Sequence, residues 1–471
     1  MTFAIIIAAL VLFYQASGGY GVDKNGAIIQ NGFLYLSSVP GKAQIYLNGT
    51  LRSEKTNTRL YLPSNVYKVE LRKPGYQSWQ RNVVLDGASV ERFDYPRLFP
   101  TKLTSTTLDT LTGKPAIASQ SLDRRWLLVS QADSTHNFTL YDLKNPTKTS
   151  STISLPAAVV TSPTTSESWQ VAEWADDNRH VLLQHNYDDK LEYILLDRSS
   201  PAESLNLNNN LSASPTKLTL NNRKYDQYYL WNSDKTLQST TLKDATPVAV
   251  ADHVLAYQSY GTNTILYATD VGAPAGKTLI KLKVATQTYT VRTVTASELY
   301  VVNLTEYSGT LYVVCGSHAD ERVYVYKDPI SQIQSRANHL PVPVQVLHVT
   351  QPNYVSFSDS TQYVMAENGS QIAVYDVLNK HGFNYTMAAP LDAPQAHANW
   401  MDGDRIDYVS GGKLVIFDYD KANSRTLVSS EPNYKPVFSP DYKYLYTLQN
   451  AEVAGNRTAL VQTPILIPAD L

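Results

Sequence analysis

A single cysteine, Cys315, stands in 471 residues. That excludes an intramolecular disulfide and every multi-cysteine metal or iron–sulfur site. Charge is also scarce: 17% of residues are Asp, Glu, Lys or Arg, against roughly 25% in average soluble domains. The 40 basic and 42 acidic residues leave a formal net charge of −2, so the basic surplus of a nucleic-acid binder is missing. No stretch of useful length carries helical periodicity. There is no G-x-S-x-G elbow, no P-loop and no G-x-G-x-x-G. The nine histidines form neither H-x-H nor H-E-x-x-H, so local metal-ligand spacing is absent. Isolated histidines such as His180 and His253 therefore read as packed or surface residues. Cys315, inside the apolar run Leu311 to Gly316, reads as an inert core thiol, because a reactive one needs an accessible, electropositive setting.

What is present points to β-structure. The 33 tyrosines outnumber the 10 phenylalanines, and Tyr, Thr and Val suit pleated, half-buried surfaces. The N-terminus differs from the rest. Residues 1–22 carry no charge, and Phe3 to Tyr14 is unbroken apolar. At about 1.5 Å per residue such a segment reaches about 33 Å, enough for a hydrocarbon core of roughly 30 Å. The reading is a single membrane anchor over residues 1–22. A cleaved signal peptide and a buried core helix are the alternatives. No basic residue precedes the segment, so the usual cue for orientation is lacking; a basic tail upstream of Met1 is one expectation that follows.

Residues 23–32 read as a polar linker, and alternation begins at Phe33. Leu34 and Leu36 share one parity, as do Ile45 and Leu47 in the next run, the period-2 signature of half-buried strands. Asn48-Gly49 is a strong hairpin dipeptide, since both central positions of a type I′ turn need positive φ. A third run, Val66 to Leu71, leads to the turn Lys73-Pro74-Gly75-Tyr76. Three blocks in order carry a resemblance: Ser38 to Ala43 followed by Ile45 to Gly49, then Tyr67 to Leu71, then Lys73 to Trp79. Together they resemble the PEGA domain family, with Gly41-Lys42 replacing the Glu-Gly of the name-giving tetrapeptide. The resemblance covers residues 33–100 and implies a small all-β module of envelope proteins with no catalytic residues to transfer. Tyr76 and Trp79 are expected to pack the module.

The remaining chain repeats. Five segments align without gaps, at 120–127, 174–181, 357–364, 400–407 and 438–445. Each has a small or polar turn, then the start of an apolar strand, and four of the five open on an aromatic. Weaker copies place the second strand near Leu127, Val181, Tyr229, Ile265, Tyr312, Val364, Ile406 and Leu445. The steps average about 45 residues, with three or four strands per unit, which is the propeller period. The short step from Tyr229 to Ile265 leaves seven units as the alternative to eight. Residues 101–109 are a spare strand, expected to complete the last blade and remove a sheet edge. The Phe438-Ser-Pro-Asp441 repeat resembles the propellers of the TolB-like family and, loosely, the Asp-box of sialidases. Its acidic residues are expected to accept backbone N–H bonds within their turns. The cluster Asp402-Gly403-Asp404-Arg405-Ile406-Asp407 is similar to a calcium loop but lacks the later acidic ligands.

The expected fold is thus all-β: an N-terminal transmembrane helix (1–22), a linker (23–32), a PEGA-like β-sandwich (33–100) and an eight-bladed, alternatively seven-bladed, β-propeller (101–471). The expected function is a membrane-anchored, extracytoplasmic binding or scaffold protein of the cell envelope, not an enzyme. Its partners would be the membrane, through residues 1–22, and an envelope protein or glycan on a monomeric propeller; nucleic acid, cofactors, metals and catalytic residues are not expected. A glycan-active propeller hydrolase is the runner-up, favoured by carboxylates converging with a Tyr or Arg at one mouth of the channel. A TolB-like periplasmic assembly partner is the third reading. Seven N-x-S/T sequons, among them Asn48, Asn303 and Asn384, add little in so Asn- and Thr-rich a chain.

Overall fold

The computed structural model describes residues 20–22, 28–131, 134–146, 150–335, 339–393, 396–451 and 457–471. The chain divides into two compact units. Unit 1 is residues 1–105 with 422–424 and 463–471; unit 2 is 106–421 with 425–462.

Unit 1 holds two four-stranded sheets. The first contains Tyr20–Val22, Ile28–Leu36, Thr58–Pro63 and Val90–Phe93; the second contains Thr50–Lys55, Gln44–Leu47, Asn65–Arg72 and Trp79–Leu85. Alternation sorts their side chains. Leu34, Leu36, Ile45, Val69, Leu71, Leu85 and Trp79 form one core, and each is at most 1% exposed. Asn48 (φ 50) and Gly49 (φ 83) turn the hairpin, and Asn48 Oδ1 accepts from the Lys68 amide at 2.8 Å. Tyr76 and Trp79 are both buried.

Two sequence boundaries shift. Most of the 1–22 anchor lies outside the described residues, but its last three form the strand Tyr20–Val22, paired with Ile28–Gln30. The 23–32 linker therefore ends by Ile28, because the strand beginning there offers backbone groups that a partner must satisfy. Among the described residues no helix is long and apolar enough to cross a membrane. The second shift is at the C-terminus, where 463–471 belongs to unit 1 and not to the propeller. Leu466 joins the unit 1 core. Asp470 takes Lys73 Nζ at 2.6 Å and the Tyr76 hydroxyl at 2.8 Å, and Tyr76 Oη accepts from the Ile467 amide at 2.8 Å.

Among the described residues unit 2 contains eight four-stranded sheets in chain order. Sheets 1 to 7 span 118–154, 167–206, 217–251, 254–295, 300–348, 354–386 and 399–429; sheet 8 holds Val437–Phe438, Tyr444–Asn450 and Arg457–Pro464, whose last two residues are counted with unit 1, and takes Thr106–Thr112 as its fourth strand. That strand pairs antiparallel with Arg457–Gln462, three residues beyond the 101–109 window, because Leu108 and Leu111 pack on the cluster joining sheets 8 and 1. Each of the eight positions from Leu127 to Leu445 that mark the repeat lies in the second strand of its own sheet. Neighbouring sheets pack face to face: Leu140 and Ile153 of sheet 1 meet Trp169 and Val181 of sheet 2, and Val314 of sheet 5 meets Val364 of sheet 6. Tyr446 and Leu460 of sheet 8 meet Leu127 and Val129 of sheet 1, so the array returns to its start.

The repeat has a chemical logic. In the first turn of sheets 1, 2 and 8, Asp123, Asp177 and Asp441 each accept the amide of the residue two positions on, at 3.1, 2.8 and 3.2 Å. The residue so positioned, Arg125 or Arg179, pairs with the Asp that ends the third strand, Asp142 or Asp197. Gln362–Asp376 (3.1 Å) and Arg405–Asp418 (3.6 Å) repeat this bracket in sheets 6 and 7. The repeat's opening tryptophan ties one sheet to the previous one: Trp174 Nε1 donates to Ser119 Oγ at 3.0 Å, and Trp400 Nε1 to Ser356 Oγ at 3.1 Å.

This tie makes a graded expectation. Trp400→Phe keeps a ring and deletes the donor, so it should lower the unfolding free energy of unit 2 by about 1 kcal/mol. Trp400→Ala should lower it by about 3–5 kcal/mol. Urea denaturation of the full chain reads both; an undiminished stability in Trp400→Phe would show that the indole N–H contributes nothing beyond packing.

Candidate functional site

The first turns of the sheets in unit 2 meet one another at one end of the array. Asp123 N donates to Asn178 Oδ1 at 2.9 Å, joining turns 1 and 2. The Asp176 amide donates to the Arg223 carbonyl at 2.8 Å, joining 2 and 3. Ser360 Oγ donates to the Gly403 carbonyl at 3.1 Å, joining 6 and 7. Arg124 is the hub. Its Nη1 donates to the Met401 carbonyl at 2.8 Å, its Nη2 pairs with Asp359, and its guanidinium lies 4.5 Å from the Tyr442 ring centroid. One side chain of sheet 1 thereby contacts the turns of sheets 6, 7 and 8.

Sheet 7 departs from the array here. Two residues beyond the one that faces the Asp ending the third strand, the second strand of this repeat carries a buried apolar side chain. It is Leu128, Leu182 and Met365 in sheets 1, 2 and 6, each 0% exposed. In sheet 7 it is Asp407, 0% exposed. Neither carboxyl oxygen of Asp407 has a hydrogen-bond partner among the described residues. Burial pushes its pKa up to about 7, against the pull of Lys435 and Arg124 and with the help of Asp402 and Asp359. Asp404, two residues before the strand's buried Ile406, is likewise raised by burial to about 7, with Asp402 adding to the shift.

In the rest of the 402–407 cluster Asp402 and Arg405 bind each other. Asp402 Oδ1 accepts the amides of Asp404 and Arg405, each at 2.9 Å, and its Oδ2 takes Arg405 Nη1 at 2.6 Å. Among the described residues no three His, Cys, Asp or Glu side chains are placed to hold a metal ion. The acidic spacing that is similar to a calcium loop is thus read locally as a turn whose carboxylate caps backbone donors.

The other singled-out residues lie apart. His180 Nδ1 bonds Asp177 at 2.6 Å, and its ring stacks 4.1 Å from Tyr225. His253 is exposed, 3.3 Å from Asp270. Cys315 is buried, and burial raises its thiol to about 12, which removes the thiolate that a nucleophile needs. A histidine the sequence did not distinguish, His185, sits wholly buried in sheet 2. It bonds Glu192 at 2.8 Å and Glu167 at 3.1 Å and stacks on Trp169 at 4.1 Å. Glu192 also accepts from Thr161 and Asn206, and these bonds hold its carboxyl down to about 2 against desolvation. The Glu192 side borders a cleft of about 500 Å³ lined by Tyr187, Lys190, Asn209 and Thr216.

Arg124 and Asp407 were missed as a pair because nothing local links them. Arg124 meets partners 235 and 277 residues away. The one available signal was Asp407 standing in a column that takes Leu or Met in sheets 1, 2 and 6.

The raised carboxyl sets a pH dependence with a definite sign. Asp407 keeps its proton in the folded state up to about pH 7 but loses it near 3.8 when unfolded. Its contribution to stability is therefore full below about pH 4 and is lost as pH rises through 7. Asp407→Leu should remove up to about 1.4 kcal/mol per pH unit of that decline. The variant should be more stable than the parent at pH 8 and gain least near pH 4. Denaturation across that range measures it; parallel curves would place the Asp407 proton elsewhere.

The PEGA domain family matches residues 31–96. No curated protein sequence matches the chain. Among solved structures, the C-terminal WD40 domain of Sif2 is similar at 10% identity, covering 76% of this chain and 98% of that one, with a TM-score of 0.50. The uncharacterized protein lmo1340 from Listeria monocytogenes is 11% identical over 69% of this chain and 93% of its own, with a TM-score of 0.41. An oligogalacturonate lyase in complex with manganese is 11% identical over 76% and 98%, with a TM-score of 0.40. At such identities the likeness speaks to fold alone. Residues 31–96 thus match the PEGA domain family, and the four-stranded sheets of unit 2 have the β-propeller fold.

Proposed function

We propose that this chain is a binding or scaffold protein of the cell envelope. In this reading the apolar N-terminal segment before Tyr20 anchors it in the membrane, the PEGA domain stands beyond the bilayer as a spacer or wall-contacting module, and an eight-bladed propeller presents the interaction platform outside the cytoplasm. The observation that carries the platform is the turn end of unit 2. Its turns are locked to one another through Arg124, Asn178 and Ser360. Around that lock Leu122 (41% exposed) and Tyr225 (39%) stand out beside charged groups. A surface already fixed in shape loses little freedom when a partner docks, and exposed Tyr beside Arg is the composition of energetic contact centres. The partner is an envelope protein or a glycan.

The second reading, a glycan-active propeller hydrolase, is favoured by one specific feature. Asp404 and Asp407, with pKa values raised to about 7, stand near Arg124, Tyr442 and further carboxylates. A proton-donating carboxyl held near neutrality beside others is the acid–base pairing that glycoside hydrolysis uses. Against it stands the complete burial of Asp407, which leaves no path for a glycosidic oxygen to its carboxyl.

Protease shaving separates location from activity. In intact cells producing the chain, an antibody to the C-terminal repeats should lose its signal while a cytoplasmic marker survives. Survival of the repeats until lysis, even after an outer layer is selectively permeabilised, would end the extracytoplasmic reading. Purified chain and its Asp407→Asn variant should then capture the same envelope partner. Glycan cleavage by the parent and none by the variant would transfer the case to the hydrolase.

A further inference from the structure

Unit 1 has a second surface, independent of the propeller platform. In its first sheet the core parity points Leu34, Leu36, Leu60 and Leu62 inward. The opposite parity is set by register. Tyr35 lies opposite Arg59 on one side and Arg92 on the other; Phe33 lies opposite Tyr61 and Val90. Two cross-strand rows result, Arg59–Tyr35–Arg92 and Tyr61–Phe33–Val90. With strands about 4.8 Å apart and rows about 7 Å apart, they cover a face of about 10 by 7 Å. Tyr61 is 40% exposed and Val90 59%. The arginines lie against this floor. The Arg59 guanidinium is 5.3 Å from the Phe33 centroid and 5.9 Å from that of Tyr35, and Arg92 is 5.6 Å from Tyr35. Arg59 Nη1 also reaches the Tyr35 hydroxyl at 3.4 Å. Arg92 pairs with the exposed Asp94, whereas Arg59 makes no ion pair with any described residue.

Charge adds a second, separate observation. Residues 1–105 hold 12 Lys and Arg against 6 Asp and Glu, while residues 106–471 hold 28 against 36. A near-neutral chain thus concentrates its positive charge in the module. Such a field raises the local concentration of anions, and an Arg fork takes carboxylate or phosphate in a bidentate, planar fashion.

We infer that this sheet face binds an acidic polysaccharide. A pyranose has an apolar C–H face that lies against a π surface and an edge that carries the acid group. The face supplies the first through Phe33, Tyr35 and Tyr61 and the second through Arg59 and Arg92. An anionic membrane would need only charge and protruding apolar tips, and the guanidinium groups held 5.3–5.9 Å from the ring centroids are the feature it would leave unused. The site goes beyond the propeller platform and stands or falls separately from it.

The test uses the detergent-solubilised full chain and an alginate oligomer as the acidic glycan. Dextran is the neutral glycan, polyacrylate the polyanion without sugar, and vesicles of phosphatidylcholine and phosphatidylglycerol in equal parts the lipid surface. Binding of alginate well above all three is expected. Arg59→Gln and Tyr61→Ala should each weaken it by about tenfold. Arg52→Gln, the same charge change on the other sheet, should change it by less than about twofold. Should Tyr61→Ala unfold the module, Arg59→Lys keeps the charge, loses the planar fork and should still lose most of the binding. Equal affinity for polyacrylate, binding to vesicles alone, no binding of alginate, or binding untouched by the Arg59 variants would each overturn the proposal. A protein partner found on the propeller would leave it unaffected.

Discussion

The circular array of unit 2 depends on one backbone pairing, Thr106–Thr112 against Arg457–Gln462. Without it sheet 8 would keep three strands and expose a row of amides and carbonyls, the template for pairing with another chain. The pair joins residues some 350 positions apart, but loop-closure entropy grows only logarithmically with length. The cost is therefore little more than that of a shorter clasp, while the gain is the loss of an edge. Side chains reinforce it: the Tyr141 hydroxyl of sheet 1 donates to Asp109 of the closing strand at 2.6 Å, and Leu108 and Leu111 seat against the cluster shared by sheets 8 and 1. Immediately after Gln462 the chain enters unit 1, where Asp470 and Leu466 are held.

Around that clasp the array is not uniform. Sheets 1, 2, 6 and 7 carry the Arg- or Gln-to-Asp bracket, and sheet 8 carries the same Asp turn with Lys443 in the bracketing position. Taken round the circle, 6, 7, 8, 1 and 2 are contiguous. Sheets 3, 4 and 5 form the other arc and turn differently. In sheet 5 the turn is two residues, Ser308 (φ 49) and Gly309 (φ 72), between the paired Tyr307 and Thr310; in sheet 4 it is residues 261–263. Such tight hairpins need positive φ but no capping carboxylate. Arg124 contacts lie entirely within the bracketed arc. The charged, interlocked surface is accordingly one-sided, and a partner would meet an Arg- and Asp-rich half beside a plainer Gly- and Thr-turned half.

The same division explains what could be read from the residues alone. Period-2 alternation and Asn48-Gly49 located the module's strands because each depends on neighbours in sequence. The five strong repeat copies were legible because an Asx turn writes its own signature, an acceptor followed two residues later by the amide it takes. Sheets 4 and 5 were faint because their tight turns drop that signature, and sheet 3 because its turn, residues 221–226, is built on the 3-10 turn Asn221–Arg223 instead. The tail 463–471 was assigned to the propeller because Pro464 to Leu471 has no periodicity; its place is decided by Lys73 and Tyr76, almost 400 residues earlier. The register that sets Arg59 and Arg92 on either side of Tyr35 was equally hidden, since Val90–Phe93 joins that sheet in parallel, across an intervening sheet.

Asp407 shows most sharply where folding rules stop. Every other demand of the repeat is met in sheet 7: Asp402 caps its turn, Arg405 brackets Asp418, and Trp400 ties back to Ser356. The strand position that follows takes Leu or Met in sheets 1, 2 and 6, and an apolar side chain there would bury its surface at no electrostatic cost. A carboxyl buried without a hydrogen-bond partner instead costs on the order of 1–3 kcal/mol. Stability selects against it, and local geometry does not require it. Departures of this kind, where a rule satisfied elsewhere in the same molecule is broken without structural return, are expected at places where the chain does something besides fold. The departure lies where Arg124, which contacts the turns of sheets 6, 7 and 8, adds its charge to the surroundings of Asp407.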